Sequence, residues 1–170
     1  MTLFSPTLPD GLRICPQHLQ MNALKTLLGN QGWNWAFTIV RNPYERMESE
    51  YAWRTDMQFK NSDFRPDFSS WLIENLGASK KNPFHLDNHF RRQVEFIDID
   101  VKVYKLETEL MQAAQAVAKH LEIESPTTLG VDNVSGRPAV EWSTEALEMV
   151  NEYYENDFIT FGYGKRKLPI

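Results

Sequence analysis

One stretch constrains the fold more than any other. Residues 33–40, WNWAFTIV, run without a break into residues 41–51, RNPYERMESEY. The first half is aromatic and β-branched and has no polar alternation near its end, the pattern of a strand buried on both faces. The second half starts a helix at once. Asn42 has the side chain of a helix cap, Pro43 suits the first helical position and Glu45 the third. Tyr44, Met47 and Tyr51 then recur on one stripe, and the helix is expected to run to about residue 58. A buried strand that turns directly into a helix is the unit of an α/β layer.

The rest of the chain fits that class. Leu19, Leu24, Leu27 and Leu28 predict a short amphipathic helix over 19–28, stopped by Gly29. Residues 66–76, PDFSSWLIENL, predict another, stopped by Gly77. A polar loop follows over 78–87, then a short helix over 88–97. VKVYKL, residues 101–106, alternates as a strand. Residues 107–121 are helical, with Leu110, Ala114, Val117 and Leu121 on one side. A long loop over 122–142 leads to Ser143, which caps a last helix to about Asn156, and DFITFGY closes the sequence. Residues 1–17 hold three of the nine prolines and read as an extended arm. The expectation is one domain over 1–170, with a small parallel sheet flanked by helices.

Bulk chemistry narrows the function. The net charge of −5 excludes the broad basic surface that nucleic-acid binding requires, though two or three clustered arginines can still hold a small anion. A single cysteine, Cys15, excludes an internal disulfide and a thiolate metal cluster. No apolar run reaches the length of a membrane span, and MTLFSPTLPDGLR lacks the pattern of a secretory signal. The expected setting is the reducing cytoplasm.

The strand-to-helix junction carries the chemistry. In open α/β sheets, ligands bind beyond the carboxyl ends of the strands. Arg41 stands at such an end, where a helix N-terminus also presents free N–H groups and a positive dipole. Arg46 and Ser49 lie three apart on the helix, so a guanidinium and a hydroxyl can share a face. The stretch reads either as an anion cradle or as an ordinary helix with surface ion pairs among Arg41, Glu45, Arg46 and Glu48.

VRNPYERMESEY resembles the 3′-phosphate-binding motif of the sulfotransferases that use 3′-phosphoadenylyl sulfate, closest to the carbohydrate (heparan-type) and bacterial members. The motif runs from an apolar strand through Arg-Asn-Pro and a second arginine to a serine eight residues after the first Arg, as Arg41 and Ser49 are here. NHFRRQVEFI resembles the family's Arg-Gln helix. VKVYKLETEL resembles its strand-to-helix passage ending in a glutamate, here Glu107. NVSGRPAVEWSTEALEMVNEYYENDFITFGY resembles its ending, and the likeness spans roughly residues 15–163.

The resemblance implies a P-loop NTPase-like sulfotransferase fold and transfer of a sulfuryl group from 3′-phosphoadenylyl sulfate to a hydroxyl or amine, with a carbohydrate among the candidate acceptors. It implies that Arg41 and Ser49 bind the 3′-phosphate and that Ser135 and Arg137 close over the nucleotide. The product is 3′-phosphoadenosine 5′-phosphate, and no metal is implied. His18, in CPQHLQMNAL just before a short helix, matches the place of the catalytic histidine in heparan-type relatives. Glu48 and Glu50 are the reserve bases, because other members use Glu. His89, Arg92 and Gln93 are candidates for the acceptor. Arg91 shares that reading, with a solvated helix face as the alternative. His85 and His89 are four apart, but no further ligand completes a metal set with recognisable spacing. Cys15 reads as packing. Trp33, Trp35, Trp53, Trp71 and Trp142 read as core or half-buried rings, any one of which could stack on adenine.

The family's N-terminal turn, Pro-Lys-x-Gly-(Thr/Ser)-(Ser/Thr), which holds the 5′-phosphosulfate, has no match here. Ser5, Gly11 and Arg13 lack its spacing and Lys25 falls in a predicted helix. The fold is therefore expected to be N-terminally shortened, through a gene start placed too late or a naturally shortened relative, unless another segment supplies the loop. The alternative function is a non-catalytic binding or structural protein that keeps the 3′-phosphate site. A missing strand would expose a sheet edge, and a homodimer covering it is expected under either reading.

Overall fold

The computed structural model describes residues 14–15, 18–29, 33–58, 64–130 and 139–167. Among these, helices α1 (Met21–Leu28), α2 (Pro43–Gln58), α3 (Phe68–Lys81), α4 (Leu106–His120), α5 (Thr144–Tyr153) and α6 (Glu155–Phe161) surround two strands, β1 (Ala36–Val40) and β2 (Val101–Lys105). The strands pair in parallel, with Ala36 opposite Val101 and Val40 opposite Lys105. The protein is α/β with a small parallel sheet flanked by helices.

The junction forms as its residues dictate. β1 ends at Val40, which is 1% exposed, and α2 begins three residues later at Pro43. The Asn42 side chain accepts the Tyr44 N–H at 3.0 Å, satisfying one of the helix's unpaired donors. The Tyr44–Met47–Tyr51 stripe turns inward and packs with Phe68, Trp71, Leu72 and Leu76 of α3, Phe90, Ala146, Leu147 and Val150 of α5, Tyr154 between α5 and α6, and Phe158 of α6. The core thus lies against α2 and is built from helices. The cap expected at Ser143 holds as well, its side chain accepting an N–H group in the first turn of α5, and Asp67 caps α3 in the same way.

Four local expectations are corrected. β1 is not buried on both faces: Phe37 and Ile39 remain 39% and 40% exposed, because the described residues cover the face they share only in part. Gly77 does not stop α3, which continues to Lys81, since Leu76 and Ser79 on either side of it are buried and hold the next turn. Residues 88–97 are not one helix. Leu86, Asp87 and Asn88 take φ values of 49°, 58° and 67°, a left-handed turn, and a separate 3₁₀ turn covers Gln93–Phe96. DFITFGY is largely helical, with Gly162 at φ 66° closing α6.

Leu72 is fully buried at the centre of the core. Leu72→Ala is expected to lower unfolding stability by about 2–5 kcal/mol. The measurement is urea denaturation, with a lower midpoint and an unchanged slope.

Candidate functional site

The strand end is fixed by side chains from distant elements. The Gln93 amide takes both backbone groups of Arg41: the Arg41 N–H donates to Gln93 Oε1 at 2.8 Å, and Gln93 Nε2 donates to the Arg41 carbonyl at 2.8 Å. The next N–H, of Asn42, donates to Glu107 Oε1 at 2.7 Å, and Tyr163 Oη donates to the other carboxylate oxygen at 2.9 Å. Gln93 is itself held by Asp157, whose carboxylate accepts the Gln93 and Val94 N–H groups at 2.8 and 3.0 Å. Burial pushes the Asp157 carboxyl above its ordinary pKa, opposed by these bonds and by the charge of Arg46.

With its backbone pinned, the Arg41 side chain runs along the first turn of α2, its guanidinium 3.6 Å from the Glu45 carboxylate. Glu45 and the half-buried Ser49 are four apart and share a helix face. Arg41 and Ser49 therefore address one side of α2, with Glu45 between them. Arg46 is not on that side. It donates to the carbonyls of Arg91 and His89 at 2.8 and 2.6 Å, tying α2 to the segment after the left-handed turn. The two arginines of the motif divide the work, one along the helix surface and one inward.

His18 and His89 meet in a cavity of about 210 Å³ lined also by Arg46, Glu50, Asn88 and Phe96. Each histidine carries its own carboxylate. His18 Nδ1 is 2.7 Å from Asp87 Oδ2, and His89 Nδ1 is 2.9 Å from Glu50 Oε2. The rings meet edge to face with centroids 4.6 Å apart. A carboxylate on Nδ1 fixes the ring and leaves Nε2 as the proton acceptor. Burial pushes the Glu50 carboxyl up, but the hydrogen bond and charge of His89, with Arg54, outweigh it and hold it below the usual range. Desolvation by burial raises the Asp87 carboxyl, and the bonds from Cys15 and His18 reverse that. Trp53, 41% exposed, stacks on His89 at 5.7 Å.

The other sequence candidates are placed elsewhere. Arg92 is half exposed, bound to Glu95 at 3.0 Å, and lines a separate hollow with Lys80, Arg91 and Tyr153. Gln93 is taken up by the Arg41 backbone. Arg91 is 8% exposed and saturated by Asn88, Glu95 and the Pro83 carbonyl. Glu48 accepts from Trp142 and Arg166 at 2.9 and 3.1 Å. His85 is hydrogen-bonded to Asn75, away from the Glu50 partner of His89. Ser135 and Arg137 lie outside the described residues.

Asp87, Asn88 and the pairing of Glu50 were not foreseen. The signal for the first two was present: Asp and Asn tolerate left-handed backbone, and they stand side by side before His89. Asn88 Nδ2 reaches the His18 carbonyl at 2.9 Å and so fastens the two histidine segments together.

No family model, curated protein or solved structure matches the chain.

Two outcomes follow from this geometry. Gln93→Leu strips partners from the N–H and carbonyl of Arg41 and is expected to cost about 2 kcal/mol or more, read by chemical denaturation. Because Glu50 is held below its unfolded pKa, its stabilisation is present above that value and is lost as pH falls through the folded one. Stability of Glu50→Gln should therefore fall less steeply than wild type below about pH 4.3. Equal slopes in denaturation midpoints across the acid range would refute the pairing.

Proposed function

We propose that the protein is a sulfotransferase-type protein that grips the 3′-phosphate of 3′-phosphoadenylyl sulfate and transfers its sulfuryl group to a hydroxyl or amine. The observation that carries this reading is the pinned Arg41, directed along the same face of α2 that holds Ser49, at the carboxyl end of a parallel strand. That arrangement supplies a planar cation, a hydroxyl and a helix N-terminus to one anion. Glu45 already neutralises Arg41 but is 40% exposed, so it can swing aside for a phosphate.

In this reading the fold is the P-loop NTPase-like fold of that family. The donor contributes an activated sulfuryl group. His18 Nε2 takes the acceptor's proton as its oxygen or nitrogen bonds to sulfur, and Asp87 on Nδ1 holds the tautomer and stabilises the imidazolium. The bridging S–O bond breaks and its electrons leave with the nucleotide phosphate. His89 lines the acceptor side of the cavity, with Trp53 beside it as a flat apolar platform for a ring such as a sugar. The charge on the transferring group needs N–H or cationic donors, and the described residues offer no glycine-rich loop for them. The alternative reading, a binding protein without turnover, differs from the first on that point alone.

Calorimetric titration with 3′-phosphoadenosine 5′-phosphate tests the reading. Wild type is expected to bind, and Arg41→Ala and Ser49→Ala to bind at least tenfold more weakly. Silence from wild type, or equal binding by all three, would sink the assignment. In a transfer assay, His18→Asn should lower turnover at least 100-fold, the scale of a lost general base, with nucleotide affinity unchanged. Tight binding with no transfer by wild type supports the non-catalytic alternative.

A further inference from the structure

A second chemistry converges on the outer side of His18. Cys15 Sγ, a ring nitrogen of His18 and an Asp87 carboxylate oxygen lie within 4.8 Å of one another, each residue half-buried. Two local devices bring them together. Cys15 and His18 are three apart, and the His18 N–H donates to the Cys15 carbonyl at 2.9 Å. A thiol and an imidazole, both zinc ligands by type, thus stand close together in the chain. The left-handed turn at Leu86–Asn88 then delivers Asp87 from a segment 72 residues further along the chain than Cys15. The Cys15 N–H holds Asp87 Oδ1 at 2.7 Å, which leaves Oδ2 toward His18.

We propose that Cys15, His18 and Asp87 form a three-ligand site for a divalent transition-metal ion of the zinc class, with the remaining coordination position open to water. Thiolate, imidazole and carboxylate suit zinc or cobalt and do not suit magnesium or calcium. At 2.7 Å, His18 and Asp87 share a proton. On a tetrahedral ion with bonds of about 2.0–2.1 Å, two such ligand atoms stand about 3.3 Å apart, so the ion replaces that proton and the pair opens by roughly half an ångström. The second layer is already present: the Cys15 N–H orients Asp87, and Asn88 holds the His18 carbonyl. Binding displaces the Cys15 thiol proton as well.

Cobalt(II) reports the site directly. With a single cysteine in the chain, a thiolate-to-cobalt charge-transfer band can come only from Cys15. Titration of the full chain, reduced and stripped with chelator, is expected to give that band together with tetrahedral d–d absorption, saturating at one equivalent and displaced by zinc. Asp87→Asn should keep the band and weaken binding at least tenfold, and Cys15→Ser should lose the band. Absence of the band in wild type, or spectra unaltered by Cys15→Ser, overturns the proposal. Protection of wild-type Cys15 from iodoacetamide by one equivalent of zinc needs no variant. Alkylation at an unchanged rate overturns the proposal equally. Both readouts are independent of nucleotide binding and transfer.

Discussion

The Gln93 amide on the Arg41 backbone is the contact on which the candidate site depends. Arg41 is where β1 stops and α2 has not begun, so its N–H and carbonyl have no place in either ladder. One amide satisfies both at 2.8 Å. Gln93 is in turn fixed through its backbone by Asp157, a carboxylate that is fully buried yet accepts two N–H groups. A buried carboxylate is tolerable only with such partners. The chain of contacts runs from α6 through the Gln93–Phe96 turn to the strand end, so packing at the carboxyl-terminal helix sets the direction of an arginine some 116 residues earlier in the sequence.

α2 distributes that rigidity. Arg41 and Asn42 stand just ahead of its first turn, which carries Glu45; its next turns carry Arg46, Glu48, Ser49 and Glu50. Tyr44, Met47 and Tyr51 anchor the opposite side in the core. A helix buried along one stripe cannot rotate, so the polar residues between the stripe positions keep fixed directions. Arg46 reaches the carbonyls beyond the left-handed turn, and Glu50 holds His89. Both the strand-end corner and the histidine cavity are therefore indexed to the same helix.

What the sequence made legible follows from locality. The junction at 40–43, the stripe on α2 and the cap at Ser143 depend on neighbours within a few residues, and each appears where the pattern places it. The stretch 85–98 was illegible for the opposite reason. Leu86 at φ 49° runs against local preference. Asp87 and Asn88 find their partners, Cys15 and His18, about 70 residues away. Gly77 was read as a stop because glycine often is one, but burial of its neighbours outweighs the roughly 1 kcal/mol that glycine costs inside a helix. At the site, Arg41 stands out by its place at the strand end and Ser49 by its place on the helix, whereas His18 stands out only through the family resemblance. Gln93 was singled out too, but its role as a clamp depends on a contact across the fold that no spacing encodes.

The two readings of His18 meet at a single atom. With Nδ1 hydrogen-bonded to Asp87, Nε2 is the proposed base, and His18 lines a cavity that also holds Arg46 and a second histidine–carboxylate pair. With a metal ion on Nδ1, the neutral imidazole carries its proton on Nε2, which then donates and no longer accepts a proton. The same three side chains cannot serve both states at once, because the ion occupies the place of the shared proton and opens the His18–Asp87 contact. Cys15 is the residue that separates them. It has no part in proton transfer at Nε2, yet its N–H orients Asp87 and its sulfur completes the donor set. A dyad that served only to orient a base would need Asp87 alone, and the thiol beside it belongs to the second chemistry.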